Sequence, residues 1–306
     1  MTMDADSANA ETEIVKAAPD APGDAGDDDG AEPARERPSA GQTSADPTWP
    51  ARISGGLRLS ISTLTIFRTG APLVDERTAG TAMKFAPLVG LGVGAVAAGV
   101  AQVVDWLTES SLIAAAVAIA ALAALTRALH LDGLADTADA LGSNKPADEA
   151  LAIMKRSDIG PFGVVTLILA LGVQVASLAA AYSVHRGPLA VIVAAMAGRL
   201  AVTVACCRPI PSARPEGLGA WVAGSVRIPT AAGIGLAVVV VSGALGLIID
   251  PQTAALAVAA IPLGIAAALL LLHRCIERFG GITGDVLGAL VETSTTIALL
   301  VLAWRP

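Results

Sequence analysis

"SLIAAAVAIAALAALTRALHLDGLADTADALG", Ser111 to Gly142, decides how this chain is read. Its first half is an apolar run close to the ~20 residues that cross a bilayer. Its second half places Asp132, Asp136 and Asp139 at i, i+4 and i+7. At about 100° per residue the three fall within roughly 40° of one another on one helix face. Carboxylates that close repel and raise each other's pKa, and a hard divalent cation removes the conflict. Mg2+, which prefers oxygen ligands, is the natural one. A solvated helix end or a set of N-caps is the blander reading, but charge beside a span is costly and usually functional.

The rest of the 306 residues is similar material, 54% hydrophobic and 15% charged, with a mean hydropathy of +0.66. That excludes an ordinary soluble domain and points to an all-α, polytopic helical membrane protein. Seven spans are expected, at about 85–104, 111–129, 161–182, 188–207, 230–249, 252–272 and 286–303. The preceding "GGLRLSISTLTIFRTGAP" is too short and polar to span and reads as re-entrant or interfacial.

The net charge of −7 is carried by residues 1–50, which hold twelve Asp/Glu and three Lys/Arg. That stretch lacks large apolar residues and is expected to be a disordered, solvated tail. It has no basic segment followed by an apolar run, so it does not read as a signal peptide. Residues 51–306 form the integral membrane domain. The three cysteines and three histidines show neither a disulfide framework nor zinc spacing.

Lys/Arg placement orients the spans. Loops 51–84, 127–160, 207–229 and 273–285 hold fourteen Lys/Arg, whereas the opposite set holds only Arg186 and Arg305. The first set, and with it the N-terminus, is expected in the cytoplasm. Every polar motif falls on that side. A transporter would show polar groups near the midplane and openings on both faces. One-sided polarity favours an enzyme at the cytoplasmic membrane surface.

Each motif adds chemistry to that face. Gly133 and Ala135 keep the surroundings of the aspartates small, leaving room for a phosphate, and His130 could orient a carboxylate or bind substrate. "MKRSDIGPFG" sets Lys155 and Arg156 beside Asp158, which suits a phosphate held near a metal. Asp158-Ile159-Gly160-Pro161 reads as a helix stop and a new start. Arg199 lies inside the fourth span, about eight residues from its cytoplasmic end, and calls for a carboxylate or phosphate partner. "RPIPSARPEGLG" offers Arg214 and Glu216 on a flexible binding loop. "GGITGD" puts Thr283 and Asp285 at a helix N-terminus, a cap signature and a possible metal or anion site. Glu292 sits one face-repeat deeper, i+7 from Asp285, and needs a partner such as Arg199 or a polar substrate pocket. The glycines of "GLGVGAVAAG" lie inside a span and read as close helix packing. Together these residues describe a Mg2+-assisted phosphoryl or substituted-phosphoryl transfer without naming a substrate.

"HLDGLADTADALG", "EALAIMKRSDIGPFG", "GRLAV…RPEGLG" and "GGITGDVLGALVE", in that order, resemble the cobalamin synthase family, the adenosylcobinamide-GDP ribazoletransferases. The resemblance covers about residues 57–303, and departs at "TIFRTGAPLV", where family members often show a "TRLPVP"-like stretch. It implies a multi-pass protein of a prokaryotic plasma membrane, the cell inner membrane, with Mg2+ as cofactor. The implied substrates are adenosylcobinamide-GDP and α-ribazole, or its 5′-phosphate, with GMP leaving. Under it Asp132, Asp136, Asp139 and Asp285 are the metal ligands, and one of the first three or Asp158 assists deprotonation. His130, Lys155, Arg156, Arg199, Arg214, Glu216, Thr283, Asp285 and Glu292 are the expected substrate and phosphate contacts. Lipid is the expected surrounding, nucleic acid is not expected, and a homo-oligomer or a complex with other enzymes of the pathway is left open. Two rival readings are a CDP-alcohol phosphotransferase, whose motif wants an Arg and another spacing, and a divalent cation transporter, which predicts polar residues across the spans.

Overall fold

The computed structural model describes residues 49–70 and 75–305. The acidic segment expected over 1–50 therefore lies, but for its last two residues, outside the described residues, as does part of "TIFRTGAPLV". Eleven helices and no strands are found among the described residues. They are α1 (Trp49–Leu64), α2 (Glu76–Thr108), α3 (Ser111–Leu125), α4 (Leu129–Gly142), α5 (Ala147–Ile153), α6 (Pro161–Tyr182), α7 (Gly187–Ala205), α8 (Leu218–Val222), α9 (Ile228–Leu247), α10 (Pro251–Phe279) and α11 (Gly284–Leu302).

Six of them, α2, α6, α7, α9, α10 and α11, are long and apolar enough to cross a membrane. The remaining expected span, the second in chain order, is α3, which has 15 residues and ends at Leu125, short of the expected 129. It breaks by 89° into α4, which leaves the span direction. α2, with 33 residues, and α10, with 29, are longer than the apolar stretches expected there. A 33-residue helix is about 50 Å long, so polar turns of α2 extend beyond a ~30 Å hydrocarbon layer.

Helix starts follow from local chemistry. Asp75 caps α2 by accepting from the Thr78 N–H at 2.6 Å, and Asp250 caps α10 by accepting from Thr253 at 2.9 Å. Each satisfies an N–H that the first turn leaves without a helical partner. α1, read from sequence as interfacial or re-entrant, is a 16-residue helix packed along α2.

α7 is the central helix: 83% of its apolar window is buried inside the bundle, against 22% for α6. Its small residues admit α2, α6, α9, α10 and α11 around it. Two glycines show how close that packing is. A Cβ on Gly90 would stand 2.5 Å from the Ala195 carbonyl oxygen, and one on Gly94 2.9 Å from Ile192 Cα. Gly92 and Gly99 face open space, so only half of the glycine run serves packing. Leu, Ile and Val on the outer faces, such as Val96, Val103, Ile168, Leu236 and Leu270, stay exposed, as a lipid-facing surface requires. Trp106 and Trp304, also exposed, mark the ends of α2 and α11, where amphipathic rings favour the membrane interface.

Candidate active site

The three aspartates reach their place because the chain turns sharply after α3. Thr126 Oγ1 donates back to the Leu122 carbonyl at 2.9 Å, and then Arg127 and Ala128 adopt left-handed φ values of 55° and 54°. For residues with a Cβ this conformation costs roughly 1–2 kcal/mol each. The turn is held by the Ala128 N–H donating to the Ala123 carbonyl at 2.7 Å. α4 then packs across the first turns of α11 and α6.

Close approach decides which carboxylates meet. A Cβ on Gly133 would lie 2.6 Å from the Asp285 carbonyl oxygen, so α11 occupies the space that the sequence reading left for a phosphate. This brings Asp285, in the first turn of α11, into the electrostatic field of Asp132 and Asp136. Asp132 is exposed and Asp136 half-buried. Burial, then the charges of Asp132, Asp285 and Asp139, push the Asp136 carboxyl up to about 7, with Arg214 opposing them.

Asp139 faces elsewhere. Its Oδ2 accepts from the Gly160 N–H at 2.7 Å and its Oδ1 from the Gly163 N–H at 2.9 Å. α6 starts at Gly160-Pro161 with no capping side chain of its own, and Asp139 supplies the missing acceptor from another helix. Both oxygens are engaged in that cap.

The cations approach from the segment between α7 and α9. Expected as a flexible loop, it is pinned to "GGITGD": the Ala213 N–H donates to the Ile282 carbonyl at 3.0 Å, and the Ile282 N–H donates to the Pro211 carbonyl at 2.9 Å. Arg214 is thereby held where its charge acts on both Asp136 and Asp285, and its guanidinium also donates to the Leu151 carbonyl. Thr283 caps α11 by accepting from the Val286 N–H at 3.1 Å, and its hydroxyl donates to Asp285 at 3.4 Å.

An open cavity of about 500 Å³ adjoins Arg214, lined by Asp148, Leu151, Lys155, Arg214, Glu216 and Gly217 among others; Asp132, Asp136 and Asp285 are not in its lining. A second, of about 340 Å³, shares Glu216 and extends to Trp221. Asp148 and Trp221 escaped the sequence reading; the one available signal was an isolated aromatic beside a Gly-rich loop in an aromatic-poor chain. Lys155, Arg156 and Asp158 all stand exposed between α5 and α6, and of the three only Lys155 lines the cavity.

His130, Arg199 and Glu292 form a separate, deeper group. His130 and Arg199 are each 3% exposed, and the Arg199 guanidinium lies 3.4 Å from His130 Nδ1. Glu292 accepts from Gln174 Nε2 at 2.8 Å. Expected as substrate contacts, they stand beneath the carboxylate group rather than along the open cavity.

Among the described residues no three or more His, Cys, Asp or Glu side chains gather into a group that could hold a metal ion. Mg2+ commonly takes one or two carboxylates and completes its shell with water and substrate phosphate, and a pair such as Asp132 and Asp285 has the oxygen chemistry for that without a third ligand.

Residues 56–303 match the family described as cobalamin-5-phosphate synthase. The chain is 42% identical over 259 residues to a Frankia casuarinae protein named adenosylcobinamide-GDP ribazoletransferase, covering 80% of this chain and 93% of the relative. Proteins of the same name from a Nocardioides species and from Bradyrhizobium diazoefficiens are each 36% identical. The matches cover 81% and 82% of this chain and 96% and 94% of those relatives. No solved structure matches the chain.

Proposed function

The chain belongs to the cobalamin-5-phosphate synthase family, and on that premise we propose that it joins adenosylcobinamide-GDP to α-ribazole, or to its 5′-phosphate, releasing GMP. The observation that carries this reading is the meeting of Asp132 and Asp136 from α4 with Asp285 from α11, opposite Arg214, which in turn lines the 500 Å³ cavity. That is a site for a diphosphate, with negative groups for a cation and positive groups for the phosphates.

In the reaction a ribazole hydroxyl oxygen bonds to the cobinamide-side phosphorus. The bond from that phosphorus to the bridging oxygen breaks, and GMP leaves with the electron pair. Arg214 and Lys155 neutralise phosphate charge that grows on the leaving side. Asp136, half-buried beside Asp132, takes the proton of the attacking hydroxyl. Asp132 and Asp285 would hold Mg2+, which when bound supplies positive charge to the diphosphate oxygens. Asp139 acts one step back, fixing α4 to the start of α6.

The membrane is the prokaryotic plasma membrane, with the carboxylate face and the N-terminus in the cytoplasm; the fourteen-to-two Lys/Arg asymmetry supports this orientation. The three native cysteines are buried, so single cysteines introduced elsewhere report topology directly. A cysteine at Arg305 should react with an impermeant maleimide on intact cells, and one at Glu216 only after permeabilisation; the reverse pattern rejects the orientation.

The test of the reaction is purified protein in nanodiscs with Mg2+, adenosylcobinamide-GDP and α-ribazole, followed by GMP release. Product should form, and Asp132→Asn should abolish it while the protein remains inserted. Absence of GMP under conditions in which the Frankia relative turns over overturns the reading.

A further inference from the structure

Arg199, His130, Glu292 and Gln174 come from four helices, α7, α4, α11 and α6, and meet inside the bundle. Glu292 lies seven positions beyond Asp285 along α11, about 10 Å below the carboxylate face. Buried charge at that depth is costly unless paired, and each group here is only partly satisfied. Glu292 takes its hydrogen bond from neutral Gln174, which also donates to Thr296 at 3.0 Å. Arg199 Nε is buried with no partner, although the opposite charges of Arg199 and Glu292 act on each other.

Both side chains line one small cavity, together with Gln174 and Thr295. Its volume for water centres is about 20 Å³, enough for a single water, which needs two to four polar partners. Thr126, Gln174, Arg199, Glu292 and Thr295 are the polar residues of its lining, and Arg199 Nε is the buried donor among them left without a partner. On its other side Arg199 donates to His130 Nδ1, so the remaining imidazole proton belongs on Nε2. His130 sits two residues before Asp132, and a Cβ on Gly288 of α11 would stand 3.2 Å from its Cα.

We propose that Arg199 and Glu292 form a water-bridged charge pair inside the membrane, whose hold on His130 sets the position of α4 and so of its aspartates. They are positioning residues, not phosphate ligands. The pair ties α4 to α6, α7 and α11 at the level of the small cavity that Thr126, Gln174 and Thr295 also line. The kinetic arm of the test rests on the reaction proposed above; the stability arm does not.

The experiment is a cycle of Arg199→Gln, Glu292→Gln and the double variant, in full-length protein in nanodiscs. Each single change leaves one buried charge uncompensated, and the double leaves none. Each single variant should lower the thermal midpoint and cut kcat about ten-fold or more, with KM for adenosylcobinamide-GDP nearly unchanged. The double variant should recover to within about three-fold of wild-type kcat and regain most of the thermal shift. If Arg199→Gln raises KM and the double does not recover, Arg199 is a substrate ligand and the proposal fails. Singles that do not insert while the double does support it; a double that fails as the singles do overturns it. A density map should show one water within reach of both side chains, and an empty cavity removes the bridge. Should wild-type protein release no GMP, the thermal cycle still decides this inference, while the reaction assignment falls.

Discussion

Gly133 of α4 lies against the backbone of Asp285 at the start of α11, so closely that a Cβ would be 2.6 Å from the Asp285 carbonyl oxygen. This contact joins carboxylates that are 153 and 149 positions apart, Asp132 and Asp136 with Asp285, into one electrostatic group.

Gly133→Ala should therefore push α4 off α11. Overpacking of this kind costs about 1–3 kcal/mol. A lowered thermal midpoint together with loss of GMP release is the expected outcome. A stable, fully active variant would show that the two helices can separate without cost to the site.

Asp139 and its neighbours on the same face should behave in opposite ways. Asp139→Ala removes two acceptors from the partly buried start of α6, and leaving a buried N–H such as that of Gly163 unsatisfied costs about 1–3 kcal/mol. Thermal unfolding should show that loss. Asp136→Asn relieves like-charge repulsion, so it should leave the midpoint unchanged or higher while abolishing turnover. Equal destabilisation by both would remove the distinction between cap and reacting group.

Protonation of Asp136 carries a pH signature. Its carboxyl is raised from an ordinary 3.8 to about 7, mainly by burial and then by Asp132. In the Mg2+-free protein the folded state therefore holds a proton that the unfolded state has released between about pH 4 and 7. Stability without Mg2+ should fall as pH rises through that window. Asp136→Asn should flatten the slope when midpoints are measured in EDTA across pH 4.5 to 8.

Arg214 faces two carboxylates and lines the larger cavity. Arg214→Ala should raise KM for adenosylcobinamide-GDP by about ten-fold or more, since a charge-assisted phosphate contact contributes roughly 1.5–3 kcal/mol. KM for α-ribazole should move far less. Equal effects on both substrates would place Arg214 outside the diphosphate seat.

The bend at Arg127 and Ala128 can be relaxed. Ala128 has φ 54°, where glycine pays no Cβ penalty. Ala128→Gly should therefore keep the bend and hold or raise the thermal midpoint, whereas Ala128→Val should lower it.

Most of the architecture was legible in the sequence because each span obeys a local rule: an apolar run of bilayer length forms its own backbone hydrogen bonds in lipid. The spans at 161–182 and 286–303 match α6 and α11 to within two residues. The one-sided distribution of polar motifs, the helix stop before Pro161 and the Thr283 cap needed only neighbouring residues. The sequence also offered Arg199 as one candidate partner for Glu292, and the two line one small cavity, while the hydrogen bond that Glu292 accepts comes from Gln174.

Helical spacing put Asp132, Asp136 and Asp139 on one face but could not say what that face would meet. Tertiary packing assigned Asp139 to the start of α6, brought Asp285 to the other two, filled the space beside Gly133, and pinned the Arg214 loop to Ile282. It also bent the second span after Leu125 through two left-handed residues with no glycine to announce them. The physical reason is one of range. Span formation and caps are settled within a few residues, whereas the company a carboxylate keeps depends on which helix ends approach, and small residues on distant helices set that approach.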